Sequence, residues 1–223
     1  MATVLGNEAK RKAYETLYNA IINADYVPGQ KISEKQLSED LAIGRTPLRE
    51  VIFQLRQDGL IHVVPQSGTY ITKVNIKEAT DARFVRESVE TKVIKEAAAK
   101  IDELQILELK NIINKQKLMT KKKLYREFHR EDNQFHRSFY EIADRGHIWD
   151  CLQMISVQLS RFRVIRLKNQ HMSWDYLIDQ HEAILKAVTA HDLEEAAHLV
   201  ADHTHLMIDE KAGLLTQYPQ FFE

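Results

Sequence analysis

The chain of 223 residues is 44% hydrophobic and 28% charged, which is typical of a folded globular protein. Seven glycines and four prolines are few for this length, so the composition disfavours an all-β fold and favours long helices. Thirty-one Lys and Arg against thirty-two Asp and Glu give a net charge of −1, which excludes a strong overall positive field. Nucleic-acid binding would therefore need a local basic surface.

The residues that form turns are concentrated in the first third of the chain. Three of the four prolines and four of the seven glycines lie between residues 28 and 68, whereas residues 77–212 contain no proline and one glycine, Gly146. This distribution predicts a compact N-terminal domain of residues 1–75 and a helical C-terminal domain of residues 76–223. A short linker is expected near Asn75–Lys77.

The first domain reads as three short helices and a hairpin. Apolar residues at helical spacing, Tyr14, Leu17, Tyr18 and Ile21, predict a first helix that ends before Pro28-Gly29. Ser33 is the expected N-cap of a second helix, and Pro47 suits the first turn of a third. Residues 60–64 and 69–74 are rich in β-branched and aromatic side chains and predict the two strands. This order is that of a winged helix-turn-helix.

The second domain is predicted to consist of helices alone. Apolar positions repeat at helical spacing throughout it, for example Phe128, Phe135 and Phe139, or Leu152, Ile155 and Leu159. An antiparallel bundle is the expected packing of such helices. The predicted helices span residues 77–101, 103–119, 122–143, 147–168, 175–190 and 192–213.

The predicted third helix carries the residues expected to read DNA. A helix-turn-helix places the start of its second helix in the major groove. Arg45 and Arg49 project from one face there, and a guanidinium matches the O6 and N7 atoms of guanine. Thr46 is expected to contact a phosphate or a base and Lys35 a backbone phosphate, and Gln66, Ser67 and Gly68 form the tip of the wing.

An alternative interpretation is that these cations are merely solvated charges of an amphipathic helix. The first domain holds nine Lys and Arg against eight Asp and Glu, which is close to neutral. If the domain binds DNA, this balance predicts that affinity depends on a dimer.

Four polar residues lie on helix faces that should be buried in the second domain. Asp132 and His136 follow the register of Phe128 and Phe135, and His181 and His203 keep step with apolar residues of two later helices. Burying a carboxylate costs several kcal/mol unless a cation neutralises it. One divalent metal would satisfy all four, and one Asp with three His suits Zn first, with Ni, Mn or Fe(II) as further candidates. Hydrogen-bonded core histidines are the alternative.

Residues 14–74 resemble the winged-helix domain of the GntR transcriptional regulators. The resemblance implies that Lys35, Arg45, Thr46, Arg49 and the wing at Gly68 contact operator DNA. Gly44 departs from it, because the family usually has a serine there that caps the recognition helix. The resemblance is carried by Pro28-Gly29, Ile32-Ser33-Glu34, Leu37, Arg45-Thr46-Pro47-Leu48-Arg49-Glu50, Leu55, Asp58-Gly59-Leu60 and Gly68.

Residues 83–210 are similar to the FCD domain of the FadR subgroup of this family. This similarity implies metal ligands at Asp132, His136, His181 and His203, and an effector carboxylate bound by Arg86 with help from Arg161 or Arg163. The fold class expected is thus mainly α, a winged helix-turn-helix followed by an FCD-type bundle. The matching segments are Arg86-Glu87-Ser88-Val89-Glu90, Asp132-Asn133-Gln134-Phe135-His136, His181-Glu182-Ala183-Ile184 and Ala196-Ala197, leading to His203.

These observations predict a homodimeric DNA-binding transcription regulator, with repression relieved by a small organic acid as the commoner arrangement. A metal-dependent hydrolase is an alternative, but no general base is identifiable beside the expected ligands, so we expect no enzyme. A sensor of the metal ion itself is the other alternative. One cysteine, no signal-peptide core and no run near the roughly 20 apolar residues of a membrane span predict a cytoplasmic protein without membrane partners.

Overall fold

The computed structural model describes residues 2–168, 173–209 and 211–223 and divides the chain into two compact units. The first unit is Met1–Asn75 together with Tyr218–Glu223, and the second is Ile76–Gln217. The sequence analysis placed the boundary after residue 75 and residues 218–223 in the second domain, whereas here residues 218–223 belong to the first unit. They join the first because Val74 N–H donates to the Phe221 carbonyl (2.8 Å) and Glu223 N–H donates to the Val74 carbonyl (3.1 Å).

The first unit is a winged helix-turn-helix, as predicted. Its small antiparallel sheet has the strand order β1-β3-β2. The strand β1 was not expected from the sequence, because two residues are too few to show an alternating pattern. The elements are α1 Ala2–Ile22, β1 Lys31–Ile32, α2 Glu34–Asp40, α3 Arg45–Gln57, β2 Ile61–Val64 and β3 Gly68–Ile71.

The helix starts of the first unit follow from its capping residues. The Ser33 side chain accepts a hydrogen bond from Gln36 N–H (3.3 Å) and caps α2. Gly44 caps α3 with extended backbone but offers no side-chain acceptor, and Pro47 lies in the first turn, where a missing N–H has no cost. One face of α3 is buried in the core of this unit, through Leu48, Val51, Ile52 and Leu55.

The second unit is all-helical, which confirms the predicted fold class. Its helices are α4 Ile76–Lys100, α5 Glu103–Lys122, α6 Tyr125–Ile142, α7 Gly146–Ile155, α8 Val157–Lys168, α9 Trp174–Thr189, α10 Leu193–Asp209 and α11 Lys211–Gln217. Aromatic side chains of α6, Phe128, Phe135 and Phe139, lie fully buried at the centre of its core.

One predicted helix is divided in the structure. The helix expected over residues 147–168 is interrupted at Ser156, so that α7 and α8 are separate. The apolar repeat did not reveal this break because it continues through Ile155, which is 51% exposed in the structure. The helix expected over residues 192–213 corresponds to α10 and the start of α11, and residue 210 lies outside the described residues. Among the described residues, no helix is both long and apolar enough to cross a membrane.

Candidate metal centre and candidate nucleic-acid interface

Four buried side chains of the second unit converge on one point. Asp132 and His136 come from α6, His181 from α9 and His203 from α10, and one potential ligand atom of each lies within 4.8 Å of the others. The Nε2 atom of His203 is 3.2 Å from Nε2 of His136 and 3.3 Å from Nε2 of His181. Nε2 of His181 is 3.6 Å from Oδ1 of Asp132. The structure thus brings together all four residues that the sequence singled out as metal ligands.

The other ring nitrogen of each histidine contacts an oxygen acceptor. Nδ1 of His136 contacts Oε1 of Glu90, a carboxylate on α4. Nδ1 of His181 is 2.8 Å from Oε1 of Gln116, and Nδ1 of His203 is 2.9 Å from Oε1 of Gln180. Because these oxygens only accept, each Nδ1 carries the proton and donates it. The lone pair of each imidazole is therefore on Nε2, which points to the centre of the cluster.

This arrangement fits a cation. Two Nε2 atoms that both carry lone pairs cannot hydrogen-bond to each other, although they lie 3.2–3.3 Å apart. Protonation does not resolve the conflict, because burial, with the positive charge of Arg86, lowers the pKa of all three imidazoles. A divalent metal would accept all three lone pairs together with Oδ1 of Asp132. Three nitrogens and one carboxylate suit Zn, Ni, Mn or Fe(II).

The second oxygen of Asp132 is held by an arginine. Its Oδ2 contacts Nη2 of Arg163, and Nη1 of the same guanidinium donates to Oδ1 of Asn133 (2.8 Å). Because one guanidinium binds both Asp132 and Asn133, it holds the carboxylate of Asp132 with Oδ1 toward the histidines. An aspartate on a metal is commonly oriented by such an outer hydrogen bond.

A cavity adjoins the cluster, and three arginines line it. Arg86, which the sequence predicted to bind an effector, is one of them, but Arg161, the other residue so predicted, is not among the described lining residues. Nη1 of Arg161 donates instead to Oε1 of Gln158 (3.2 Å). Two residues of α8 correspond to a rotation of about 200°, so Arg163 and not Arg161 faces the cavity. The described lining residues are Arg86, Asp132, Arg163, Arg166, Leu167, Leu177, His203 and Thr204.

Arg86 has one donor group to spare. Its Nε donates to Oε2 of Glu90 (2.9 Å), and its guanidinium carbon lies 6.0 Å from the ring centroid of Trp149. Its buried Nη2 has no hydrogen-bond partner in the part of the chain that the structure describes. A buried donor without a partner costs about 1–3 kcal/mol, so this nitrogen is a favourable place for an anionic oxygen.

The predicted DNA-reading residues of the first unit are exposed. Arg45, Thr46 and Arg49 are exposed at the start of α3, outside its buried stripe, and Lys35 is exposed on α2. Within the described residues, the side chains of Arg45 and Arg49 make no ion pair or hydrogen bond. The first turn of α3 contains no acidic residue, so the positive end of the helix dipole adds to these charges. This surface favours an external anion such as a phosphate.

The wing tip is a tight hairpin with a lysine beside it. Gln66 and Ser67 are exposed at the tip, and Gly68 has a φ of +138°. A Cβ at Gly68 would lie 2.7 Å from Cε of Lys31, which belongs to the neighbouring strand β1. Lys31 thus brings a cation to the wing, although no pattern in the sequence marks it.

Several residues around the metal cluster also escaped sequence reasoning. Glu90 and Gln116 are fully buried polar residues in step with apolar residues of α4 and α5, and that register could have identified them. Gln180 is only half-buried and follows no such pattern. Arg166 lies three residues after Arg163 and shares its side of α8.

A helix-turn-helix with two exposed arginines, in a chain that also holds a helical unit with a buried polar site, is typical of DNA-binding transcription regulators. Residues 9–71 match the bacterial regulatory proteins of the gntR family, and residues 81–206 match the FCD domain. The chain belongs to the GntR family of transcription regulators, in the group that carries an FCD domain. The resemblance noted from the sequence is confirmed.

Similar proteins agree with this assignment. An uncharacterized HTH-type transcriptional regulator of Streptomyces ambofaciens is 28% identical over 223 residues, covering 100% of this chain and 93% of its own. The HTH-type transcriptional repressor RspR of Escherichia coli is 28% identical over 199 residues, covering 86% of this chain and 84% of its own. The structure of E. coli McbR/YncC has the same fold, with a TM-score of 0.75 at 18% identity, covering 94% of this chain and 98% of that one. Members of this family are transcription regulators and not enzymes.

Proposed function

We propose that the chain is a cytoplasmic, homodimeric repressor whose affinity for operator DNA changes when a small carboxylate binds at a metal site in the helical unit. The observation that carries the metal and effector part is the convergence of three imidazole lone pairs and one carboxylate beside a cavity lined by arginines. Repression, rather than activation, is supported by the relative RspR, which is named a repressor.

The DNA contacts are assigned to exposed residues of α2, α3 and the wing. Arg45 and Arg49 read base edges in the major groove, while Thr46 and Lys35 bind phosphates. Gln66, Ser67 and Gly68 of the wing approach the sugar-phosphate backbone, with Lys31 beside them. Because residues 1–75 are nearly neutral, one copy binds weakly, and a dimer doubles the contacts across a palindromic site.

The metal is assigned to Asp132, His136, His181 and His203, with zinc favoured. When bound, the metal supplies a Lewis-acidic position for a carboxylate oxygen. Arg86 receives a second oxygen of the effector at its unpartnered Nη2.

The charge of the cavity selects an anionic effector. Arg86, Arg163 and Arg166 line it, while the described carboxylates at the site are Asp132 and Glu90. With a divalent metal in place, the positive charges outnumber these carboxylates by three. An organic acid reduces that excess, and more than one carboxylate reduces it further. The helices α4, α6 and α10 meet at this site, so its occupancy biases their packing and hence the spacing of the two DNA-reading helices in a dimer.

The DNA assignment is tested by a mobility shift with the intergenic DNA upstream of the gene. Replacing Arg45 and Arg49 together by Ala is expected to weaken binding at least 100-fold, since each bidentate arginine contributes about 1–3 kcal/mol. Arg56→Ala, at the exposed end of the same helix, is the matched control and should leave binding within about threefold. Equal shifts by the double variant and the wild type would contradict the proposed reading surface.

The effector assignment is tested by repeating the shift with metal-free protein, zinc-loaded protein and zinc-loaded protein with added organic acids. A change only when an acid is added supports the proposal. A change on metal loading alone indicates that the metal is itself the signal. No change in any condition contradicts modulation at this site.

A further inference from the structure

Glu90 connects the proposed effector arginine with a proposed metal ligand. Its carboxylate is fully buried on α4, one turn after Arg86. Oε2 accepts from Nε of Arg86 (2.9 Å), and Oε1 contacts Nδ1 of His136. The carboxylate pairs with the guanidinium of Arg86, which is always charged, and is therefore ionised and shared between two partners.

The three histidines differ in the charge of the group that accepts the proton of Nδ1. His181 and His203 are held by neutral amides, Gln116 and Gln180, whose oxygens carry no net charge. Only His136 is held by a carboxylate, and that carboxylate also binds an arginine of the cavity. A negative acceptor at Nδ1 makes an imidazole more basic at Nε2 and a stronger metal ligand. Whatever alters the charge on Glu90 therefore alters His136 more directly than the other two.

We propose that Glu90 is a positioning residue that couples carboxylate binding at Arg86 to metal binding at His136. This inference rests on the proposed function. When an anion pairs with Arg86, the guanidinium draws less on Oε2, and more of the negative charge of Glu90 acts on Nδ1–H of His136. The Nε2 lone pair then binds the metal more tightly. By linkage, the metal raises affinity for the anion by the same factor.

A double-mutant cycle on zinc affinity tests this coupling without knowledge of the effector. Zinc dissociation constants are measured by competition with a chromophoric chelator for the wild type, Glu90→Gln, Arg86→Met and the double variant. Glu90→Gln keeps an acceptor but removes the charge, and should weaken zinc binding about 10-fold or more. Arg86→Met removes the pull of the guanidinium on Oε2 of Glu90, as an anion bound to Arg86 would weaken it. The substitution should therefore tighten zinc binding in the wild-type background. In the Glu90→Gln background its effect should be at least threefold smaller.

Arg166→Met is the matched control, because it also removes a cation from the cavity. Oε2 of Glu90 accepts from Arg86 and not from Arg166 in the contact that the proposal uses. The effect of Arg166→Met on zinc affinity should be the same factor in both backgrounds. An Arg86→Met effect that is equally large with and without Glu90 overturns the coupling. If the wild type binds no zinc, the proposed metal site fails as well, so the two failures are distinguishable.

A second measurement does not require metal. In the metal-free protein, the 15N resonance of Nδ1 of His136 reports how strongly Glu90 accepts its proton. Arg86→Met should shift this resonance in the wild-type background and leave it unchanged with Glu90→Gln. If Glu90→Gln does not fold, Glu90→Asp takes its place, since the shorter side chain cannot contact both partners. A resonance that ignores Arg86 in every background contradicts the proposal.

Discussion

Nε2 of His136 lies 3.2 Å from Nε2 of His203, and both rings donate their only proton elsewhere through Nδ1. Two buried lone pairs face each other at this distance, which is unfavourable without a positive charge between them. The helices that carry these rings are held in place by a fully buried aromatic core. The fold thus keeps the site organised for a cation.

Zinc is expected to stabilise the fold. A ligand that binds only the native state at 100 times its dissociation constant adds about 2.7 kcal/mol to the free energy of unfolding. With zinc at 100 times its dissociation constant or more, the free energy of unfolding from denaturant titration should therefore exceed that in chelator by at least this amount. His181→Ala should abolish the difference. His198→Ala, at a 68% exposed position, should preserve it, and an unchanged difference in His181→Ala would exclude His181 as a ligand.

The metal-free protein should become less stable as the pH falls below about 6.5. His129 is expected to cause part of this loss of stability. His129 is buried, and burial, followed by the charges of Arg163 and Arg86, lowers its pKa well below the ordinary value. Unfolded His129 therefore takes up a proton below pH 6.5 and folded His129 does not. Stability rises with pH across this window, by up to about 1.4 kcal/mol per pH unit for each such histidine.

Urea unfolding between pH 5 and pH 7 measures this slope. His129→Gln should reduce it by about 1 kcal/mol per pH unit. A slope that is unaffected by His129→Gln would show that this histidine titrates alike in both states.

Lys31 is expected to contact a DNA phosphate. Lys31→Ala should weaken operator binding and reduce the slope of log affinity against log salt concentration by about 1.8, the amount for one phosphate in each of the two copies of a dimer. Lys12→Ala, an exposed lysine on α1, serves as the control and should leave the slope unchanged. Equal slopes for all three proteins would exclude Lys31 from the DNA contacts.

Gly68 is expected to be required for the geometry of the wing. Its φ of +138° is unfavourable for other residues, and a Cβ would lie 2.7 Å from Cε of Lys31. Gly68→Ala should lower the free energy of unfolding by about 1–3 kcal/mol. At Gly146 no atom lies within 4 Å of an added Cβ, so Gly146→Ala should not destabilise the protein. Thermal unfolding of the two variants compares them, and equal loss at both positions would contradict the assigned strain.

Helical register was sufficient to predict the four converging residues. Asp132 and His136 share a face with buried phenylalanines. A polar residue buried on such a face needs a polar or charged partner, so other buried polar residues are expected near it. The same reasoning identifies Arg45 and Arg49 as exposed, because they lie outside the apolar stripe of α3.

Register alone did not predict what depends on the contacts between helices. Arg161 and Arg163 are both buried, and only the rotation of α8 in the folded unit decides which faces the cavity. The break at Ser156 was hidden because apolar residues continue on both sides of it. The pairing of β1 with β3 is equally a tertiary contact, made by two residues.

Elemental analysis of the purified protein tests the central claim most directly. The wild-type chain is expected to contain one divalent transition-metal ion per copy, and Asp132→Ala, which removes the oxygen ligand, is expected to lose most of it. A wild-type chain without metal after incubation with zinc, or an Asp132→Ala variant with full occupancy, would contradict the site described here.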